Sequence, residues 1–171
     1  MAASTMNRRW FGVLGAALPL LLVPALAGAD TLEGSIDGEE RQWHILKADG
    51  RSTAEFSEHM PGMLGISVQG HAEESFAMQG TIAVTITLID GEPVGGLEVS
   101  YFPEDGMFPM YTSAGESDWN LDAVEEDGDT AVVSGHFTGT LQRVESMRDE
   151  PDPDDTLAVE LRFDVTAIRG E

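Results

Sequence analysis

Alternation of apolar and polar residues is the strongest pattern in the chain, and it predicts β-strands. In residues 81–89, T-I-A-V-T-I-T-L-I, every second side chain is a large aliphatic one and β-branched residues dominate. A period of two in such a sequence predicts a strand that buries one face. Residues 131–141 and 157–168 repeat the pattern, and residues 43–46, 64–68, 97–101 and 119–123 are shorter versions. Gly135 and Gly139 leave gaps in the row of apolar side chains on one face of 131–141, which predicts a bulge or a close neighbour.

Asp-Gly pairs punctuate the chain between these segments. They occur at positions 37, 49, 90, 105 and 127, and all except the pair at 105 lie between predicted strands. Asp-Gly tolerates the positive φ angles of a two-residue type I′ turn, so each such pair predicts a hairpin. The sequence therefore predicts a meander from Leu32 through Ala54, with further hairpins at Asp90-Gly91 and Asp127-Gly128.

These elements predict an all-β fold for residues 30–171. About eight short strands in a chain of this length are typical of a single antiparallel β-sandwich domain, and a small β-barrel is the alternative. No stretch after residue 30 has a sustained helical period.

Residues 1–29 have the features of a cleavable signal peptide. Arg8 and Arg9 precede an unbroken apolar run, and Ala27-Gly28-Ala29 offers small residues for cleavage after Ala29. An uncleaved membrane anchor is the alternative, but the run contains two prolines, which disfavour a permanent span. The arginine pair is a weak match to a twin-arginine signal, so the export route stays open. The mature protein is predicted to be periplasmic or secreted, with no stable membrane insertion.

Charge is the main feature of the composition. The chain has 31 Asp and Glu against nine Lys and Arg, a formal net charge of −22, and no Lys or Arg lies between Arg51 and Arg143. Such a surface repels phosphates, so nucleic acid binding is not expected. Either the negative charge keeps the protein soluble, for example in a salty habitat, or it attracts cations or cationic partners.

Signatures of catalysis are missing from the sequence. There is no cysteine, which removes thiol chemistry and a lipid-anchored N-terminus. Ser67 lies in G-I-S-V-Q-G, which fails the Gly-x-Ser-x-Gly pattern, and neither a His-Glu-x-x-His motif nor a phosphate-binding glycine loop occurs. We therefore expect a protein that is not an enzyme.

A long segment between two predicted strands, residues 102–118, is the first candidate for function. It contains Phe108 and Tyr111 and is flanked by Tyr101 and Trp119. Aromatic side chains on a loop can stack on a sugar or grip a peptide, so these four residues predict a binding site for a protein or glycan ligand. In the alternative, the same side chains cover one open end of the fold.

Two methionine turns form the second candidate. One is Met60-Pro61-Gly62-Met63, preceded by His59, and the other is Met107-Phe108-Pro109-Met110. Thioether and imidazole ligands select Cu(I), so His59, Met60, Met63, Met107 and Met110 together would make a periplasmic copper(I) site. Ordinary packing of a flexible hydrophobe is the alternative. The four histidines are scattered along the chain, and no pair has a spacing that indicates a metal site.

An acidic run gives a third hypothesis, a calcium-stabilised surface module. The carboxylates are those of Asp149, Glu150, Asp152, Asp154 and Asp155. They supply the hard oxygens that calcium prefers, but Pro151 and Pro153 stiffen the run and the spacing is not that of an EF-hand. A solvated acidic connector is the alternative. Apart from copper and calcium, no cofactor is predicted.

Overall fold

The computed structural model describes residues 30–170, and this part of the chain contains strands and no helix. The strands are β1 Thr31–Ile36, β2 Glu39–Trp43, β3 Lys47–Ala48, β4 Arg51–Ser52, β5 Ala54–Met60, β6 Met63–Gly70, β7 Thr81–Ile89, β8 Glu92–Phe102, β9 Met110–Ser113, β10 Asp118–Asp127, β11 Thr130–Val144 and β12 Asp152–Arg169. The predicted all-β class is confirmed. The predicted signal peptide, residues 1–29, lies outside the described residues. No segment from 30 to 170 forms a helix able to cross a bilayer.

Ten of these strands form one large sheet. Their order is β10-β11-β9-β8-β7-β6-β5-β12-β1-β2, and β11 also pairs with β12; β3 and β4 form a separate small hairpin. The pairings are antiparallel except that of β5 with β12, where Glu55 lies opposite Ile168 and Phe56 opposite Arg169. The sheet is therefore mixed, whereas the sequence predicts antiparallel pairing alone. Alternation reports which face of a strand is buried, and it carries no information about the direction of the partner.

The predicted strands are confirmed where the alternation is strong. The segment 81–89 is β7, 131–141 lies inside β11, and 157–168 lies inside β12. The predicted strand at 43–46 is wrong, because β2 ends at Trp43. β2 is mostly polar and exposed, and only Trp43 is buried, so this strand has no alternation of apolar residues from which it could be predicted. The sequence also missed β5 and the short β9.

The core lies on the inner face of the sheet and is formed by aliphatic side chains around three phenylalanines. Phe56, Phe137 and Phe163 are fully buried. Gly135 lies beside Phe163, since a Cβ at this position would come within 2.8 Å of Phe163 Cζ. The register between β10 and β11 shifts opposite the same glycine, between Leu121 and Ala123. The predicted bulge and the predicted close neighbour are thus both present at Gly135.

The Asp-Gly hairpins are confirmed, with one difference. Asp37, Asp49 and Asp90 have φ angles of 50°, 52° and 51°, and the glycine after each is also positive, as a type I′ turn requires. At the fourth hairpin Asp127 pairs with Thr130, so the turn residues are Gly128 and Asp129. Gly128 has a φ of 62° at the first turn position, which is the arrangement of a type II′ turn.

Candidate functional site

Two of the four predicted aromatic residues lie side by side. Tyr101 near the end of β8 and Tyr111 in β9 are directly opposed in the antiparallel pairing. β9 turns the middle of the predicted loop into a strand, and this strand supplies the second tyrosine. Both rings are part of the core, with exposed fractions of 7% and 8%. The rings therefore offer their hydroxyl ends, and not their faces, to a ligand.

The two tyrosines line an open surface groove with a volume of about 330 Å³. We call it the tyrosine groove, and its lining residues are Ile36, Asp37, Glu39, Arg41, Tyr101, Pro103, Tyr111 and Leu157. The β1–β2 hairpin provides one wall, because its Asp37-Gly38 turn brings the start of β2 beside the end of β8. The groove combines apolar side chains with carboxylates, a guanidinium and two hydroxyls.

Arg41 holds the hydroxyl of Tyr101. Arg41 Nη1 donates a hydrogen bond to Tyr101 Oη at 3.2 Å, and the guanidinium carbon lies 5.9 Å from the centroid of the tyrosine ring. The Nη2 atom of the same guanidinium donates to Glu39 Oε2, also at 3.2 Å. Because Tyr101 Oη accepts from Arg41, its own hydrogen remains available for an acceptor in the groove.

Asp155 holds the hydroxyl of Tyr111. Tyr111 Oη donates to Asp155 Oδ1 at 2.9 Å, and Arg143 Nη1 donates to Asp155 Oδ2 at 3.4 Å. Arg143 is the cross-strand partner of Tyr111, and its Nε lies 2.8 Å from Glu145 Oε1. Burial, followed by the hydrogen bond to Asp155 and its negative charge, raises the pKa of Tyr111 above the ordinary value. The hydroxyl therefore stays a donor to Asp155 well into alkaline solution.

The other two predicted aromatic residues are not among the lining residues of the tyrosine groove. Trp119 lies opposite Phe137 on β11, whereas Tyr111 lies opposite Arg143 on the same strand. Six residues of extended chain place Trp119 about 20 Å from Tyr111 along the sheet. Phe108 is half-buried on the loop before β9. The structure thus supports a site built on two tyrosines instead of four aromatic residues.

The two methionine turns lie at opposite ends of the sheet. Met63 pairs with Ile89, at one end of β7. Tyr111, next to Met110, pairs with Tyr101, and Tyr101 pairs with Ile82 at the other end of β7. Seven residues of strand separate these ends by about 23 Å. One ion therefore cannot contact both turns, and the predicted copper site is not formed.

The individual members of the copper set also face different surroundings. Met60 and Met107 are exposed, at 59% and 58%. His59 lies over Gly65 on the outer face of the sheet, and Met63 lines a separate cavity of about 270 Å³. These positions fit packing and surface roles for the methionines.

The acidic run does not form a preassembled ion site. Within residues 30–170, no group of three or more His, Asp or Glu side chains is placed to hold a metal ion. Asp155 is occupied by Tyr111 and Arg143, Asp149 accepts from Ser146, and Asp152 accepts from the backbone of Asp154. The calcium hypothesis therefore gains no support from the described residues.

The sequence contains no signal that links Arg41, Arg143 and Asp155 to the aromatic site. Arg41 and Tyr101 are 60 positions apart, and Tyr111 and Asp155 are 44 apart. The polar start of β2 gives no local signal for such contacts, and Asp155 is one of five carboxylates in a short run. These groups meet through contacts between strands that are distant in the sequence.

Comparison with protein-family models, with curated proteins and with solved structures finds no match to this chain.

Proposed function

We propose that the mature chain is an exported, non-catalytic binding module that takes a glycan in the tyrosine groove. The observation that carries the proposal is the pair of opposed tyrosines, one hydroxyl held by a cation and the other by an anion. Sugars present many hydroxyl groups on a partly apolar ring. A groove that mixes donors, acceptors and apolar side chains suits them.

The charges of the groove narrow the kind of glycan. Asp37 and Glu39 lie in the lining, and the surrounding chain is strongly acidic. Sialylated, sulfated or uronic-acid sugars would be repelled by this surface. The groove therefore favours neutral or amino sugars, whose hydroxyls can accept from Arg41 and Tyr101 and donate to the carboxylates.

Sequence observations support the rest of the proposal. The leader in residues 1–29 supports export to the periplasm or beyond, and the missing catalytic motifs support a binding role.

We also infer that the sheet presenting the groove is closed. The pairing of β11 with β12 links the two ends of the order β11-β9-β8-β7-β6-β5-β12. Such pairing favours a closed sheet over the sandwich.

Calorimetric titration of the purified mature chain with neutral and amino-sugar oligosaccharides tests the proposed function. Tyr101→Phe and Arg41→Met remove single groups from the groove, and Arg162→Met on the outer face is the matched control. We expect an affinity loss of about tenfold for each groove variant, equivalent to one lost charge-assisted hydrogen bond. Trp119 is too distant to report binding by fluorescence. Absence of saccharide binding, or an affinity in both groove variants equal to that of the wild-type chain, would overturn the proposal.

A further inference from the structure

Two histidines that are distant in sequence are neighbours across an isolated β-bridge. The backbone N–H of His44 donates to the carbonyl of His71 at 2.8 Å, and the N–H of His71 donates to the carbonyl of His44 at 3.0 Å. Directly opposed residues of an antiparallel pair point to the same face, with Cβ atoms about 5 Å apart. The bridge therefore forms a histidine pair that the sequence spacing hides.

The hydrogen bonds of His71 fix its tautomer. Its Nδ1 lies 2.9 Å from the carbonyl oxygen of Ala77, which can only accept, so Nδ1 carries the hydrogen. Thr81 Oγ1 lies 3.2 Å from the same nitrogen, but it donates its own hydrogen to Ala77 O at 2.8 Å. The neutral imidazole consequently has its lone pair on Nε2.

This lone pair has no partner inside the protein. His71 is 4% exposed, and Nε2 is one of only two buried side-chain nitrogen or oxygen atoms in residues 30–170 that lack a hydrogen-bond partner. Leaving a buried acceptor unpaired is costly. Histidines that bind metals commonly donate one ring N–H to a backbone carbonyl and use the other nitrogen as ligand. His71 has this arrangement.

One further candidate ligand lies next to the pair. The carboxylate of Glu74, in the segment that links β6 to β7, lies 3.9 Å from His44 Nδ1. The side chains of His44 and Glu74 are 41% and 85% exposed, so both are free to change rotamer. Phe76 of the same segment contacts the His71 ring edge-on and is itself 73% exposed, so little packing holds it in place.

We propose that His44 and His71 bind a divalent transition-metal ion such as Zn²⁺, with Glu74 as the third protein ligand. Imidazole and carboxylate together suit zinc, and water completes a tetrahedral site. His71 is positioned by its hydrogen bond to Ala77. His44 and Glu74 move onto the ion, since no three such side chains in residues 30–170 already surround a common point. This site is separate from the tyrosine groove and does not depend on glycan binding.

Titration of the purified mature chain with ZnCl₂ at physiological salt tests the proposal. His44→Ala and Glu74→Gln remove exposed ligands with little risk to folding, and His71→Asn keeps an amide donor toward Ala77 while removing the Nε2 ligand. His59→Ala and His136→Ala are matched controls elsewhere on the sheet. We expect one zinc ion per chain and a raised melting temperature. Affinity should fall about tenfold or more in His44→Ala and His71→Asn, less in Glu74→Gln, and not at all in the controls.

Electron paramagnetic resonance with Cu²⁺ as the probe gives a second readout. Two coordinated imidazoles should produce nitrogen hyperfine splitting in the wild-type chain, and His44→Ala should reduce it to that of a single imidazole. The proposal is overturned if zinc uptake is not stoichiometric, or if it is equally strong in His44→Ala. It is also overturned if uptake disappears at physiological salt, because that would show weak association with the acidic surface.

Discussion

Tyr101 and Tyr111 face each other across the pairing of β8 with β9, and their hydroxyls are held by groups of opposite charge. Arg41 reaches the first from the β1–β2 hairpin, and Asp155 reaches the second from the start of β12. Two buried rings thus connect three separate parts of the chain at one end of the sheet. Stability and the proposed binding chemistry of the groove therefore depend on the same two hydroxyls.

Tyr111→Phe should lower the free energy of unfolding more than Tyr101→Phe does. Tyr111 donates a hydrogen bond of 2.9 Å to a carboxylate, and such a bond contributes about 1.5 to 3 kcal/mol, of which water offsets part because Asp155 is 43% exposed. Tyr101 accepts a longer bond of 3.2 Å from Arg41, and Arg41 keeps Glu39 as an acceptor when the Tyr101 hydroxyl is removed. Urea unfolding of the two single variants gives the comparison. An equal loss in both, or a smaller loss in Tyr111→Phe, would contradict the assigned roles.

Alkaline solution should weaken the fold through Tyr111. Burial and the Asp155 carboxylate raise the pKa of this hydroxyl in the folded state, whereas the unfolded chain ionises near the ordinary tyrosine value of 10.0. The stabilising effect is complete below the unfolded value and is lost as the pH rises through the higher folded value. Urea unfolding between about pH 9 and pH 12 should show a decline that is reduced in Tyr111→Phe. An identical decline in that variant would show that other groups are responsible.

The strands show what local pattern can and cannot predict. β7 was predicted from end to end, because its inner face alternates strictly and both faces are rich in β-branched residues. β2 was misplaced because only Trp43 of that strand is buried, and β9 was missed because it is four residues long. A period of two reveals burial on one face, so polar edge strands and short strands leave no such signal.

The candidate sites show a second limit. The sequence predicts Tyr101 and Tyr111 because both lie in or beside an unusual segment, but Arg41 and Asp155 reach them only through contacts between strands that are distant in the sequence. The same reason explains the methionine turns, which look alike in sequence and lie at opposite ends of β7. It also explains His44 and His71, whose spacing in the sequence says nothing of their pairing.

Gly135→Ala should destabilise the protein by about 1 to 3 kcal/mol, the usual cost of overpacking. The added Cβ would come closest to the backbone oxygen of Asn120 and would also meet Phe163 Cζ at 2.8 Å. The backbone cannot retreat easily there, because β11 is paired with β10 on one side and with β12 on the other. Urea unfolding measures the loss.

The double variant Gly135→Ala with Phe163→Leu is the matched control. The shorter side chain removes the ring atom that the new methyl group would meet, so part of the loss should be recovered relative to Phe163→Leu alone. Additive losses would show that the backbone contact with Asn120, and not the ring, sets the cost.

Trp43→Phe should lower stability by about 2 to 4 kcal/mol, a loss that combines a cavity with an unpaired carbonyl group. Trp43 is 3% exposed, and its Nε1 donates to the carbonyl oxygen of Gly80 at 2.9 Å. Phenylalanine fills part of the space but has no donor, so the Gly80 carbonyl would lose this bond.

The hydrogen bond from Trp43 to Gly80 fastens the end of the segment between β6 and β7 to β2. Amide exchange should therefore accelerate in residues 72–80 of the variant, beyond the change expected from lower global stability. Trp119→Phe is the control, since Trp119 is only partly buried and lies away from this segment. Uniform acceleration across the whole sheet in Trp43→Phe would show that Trp43 acts through the core alone.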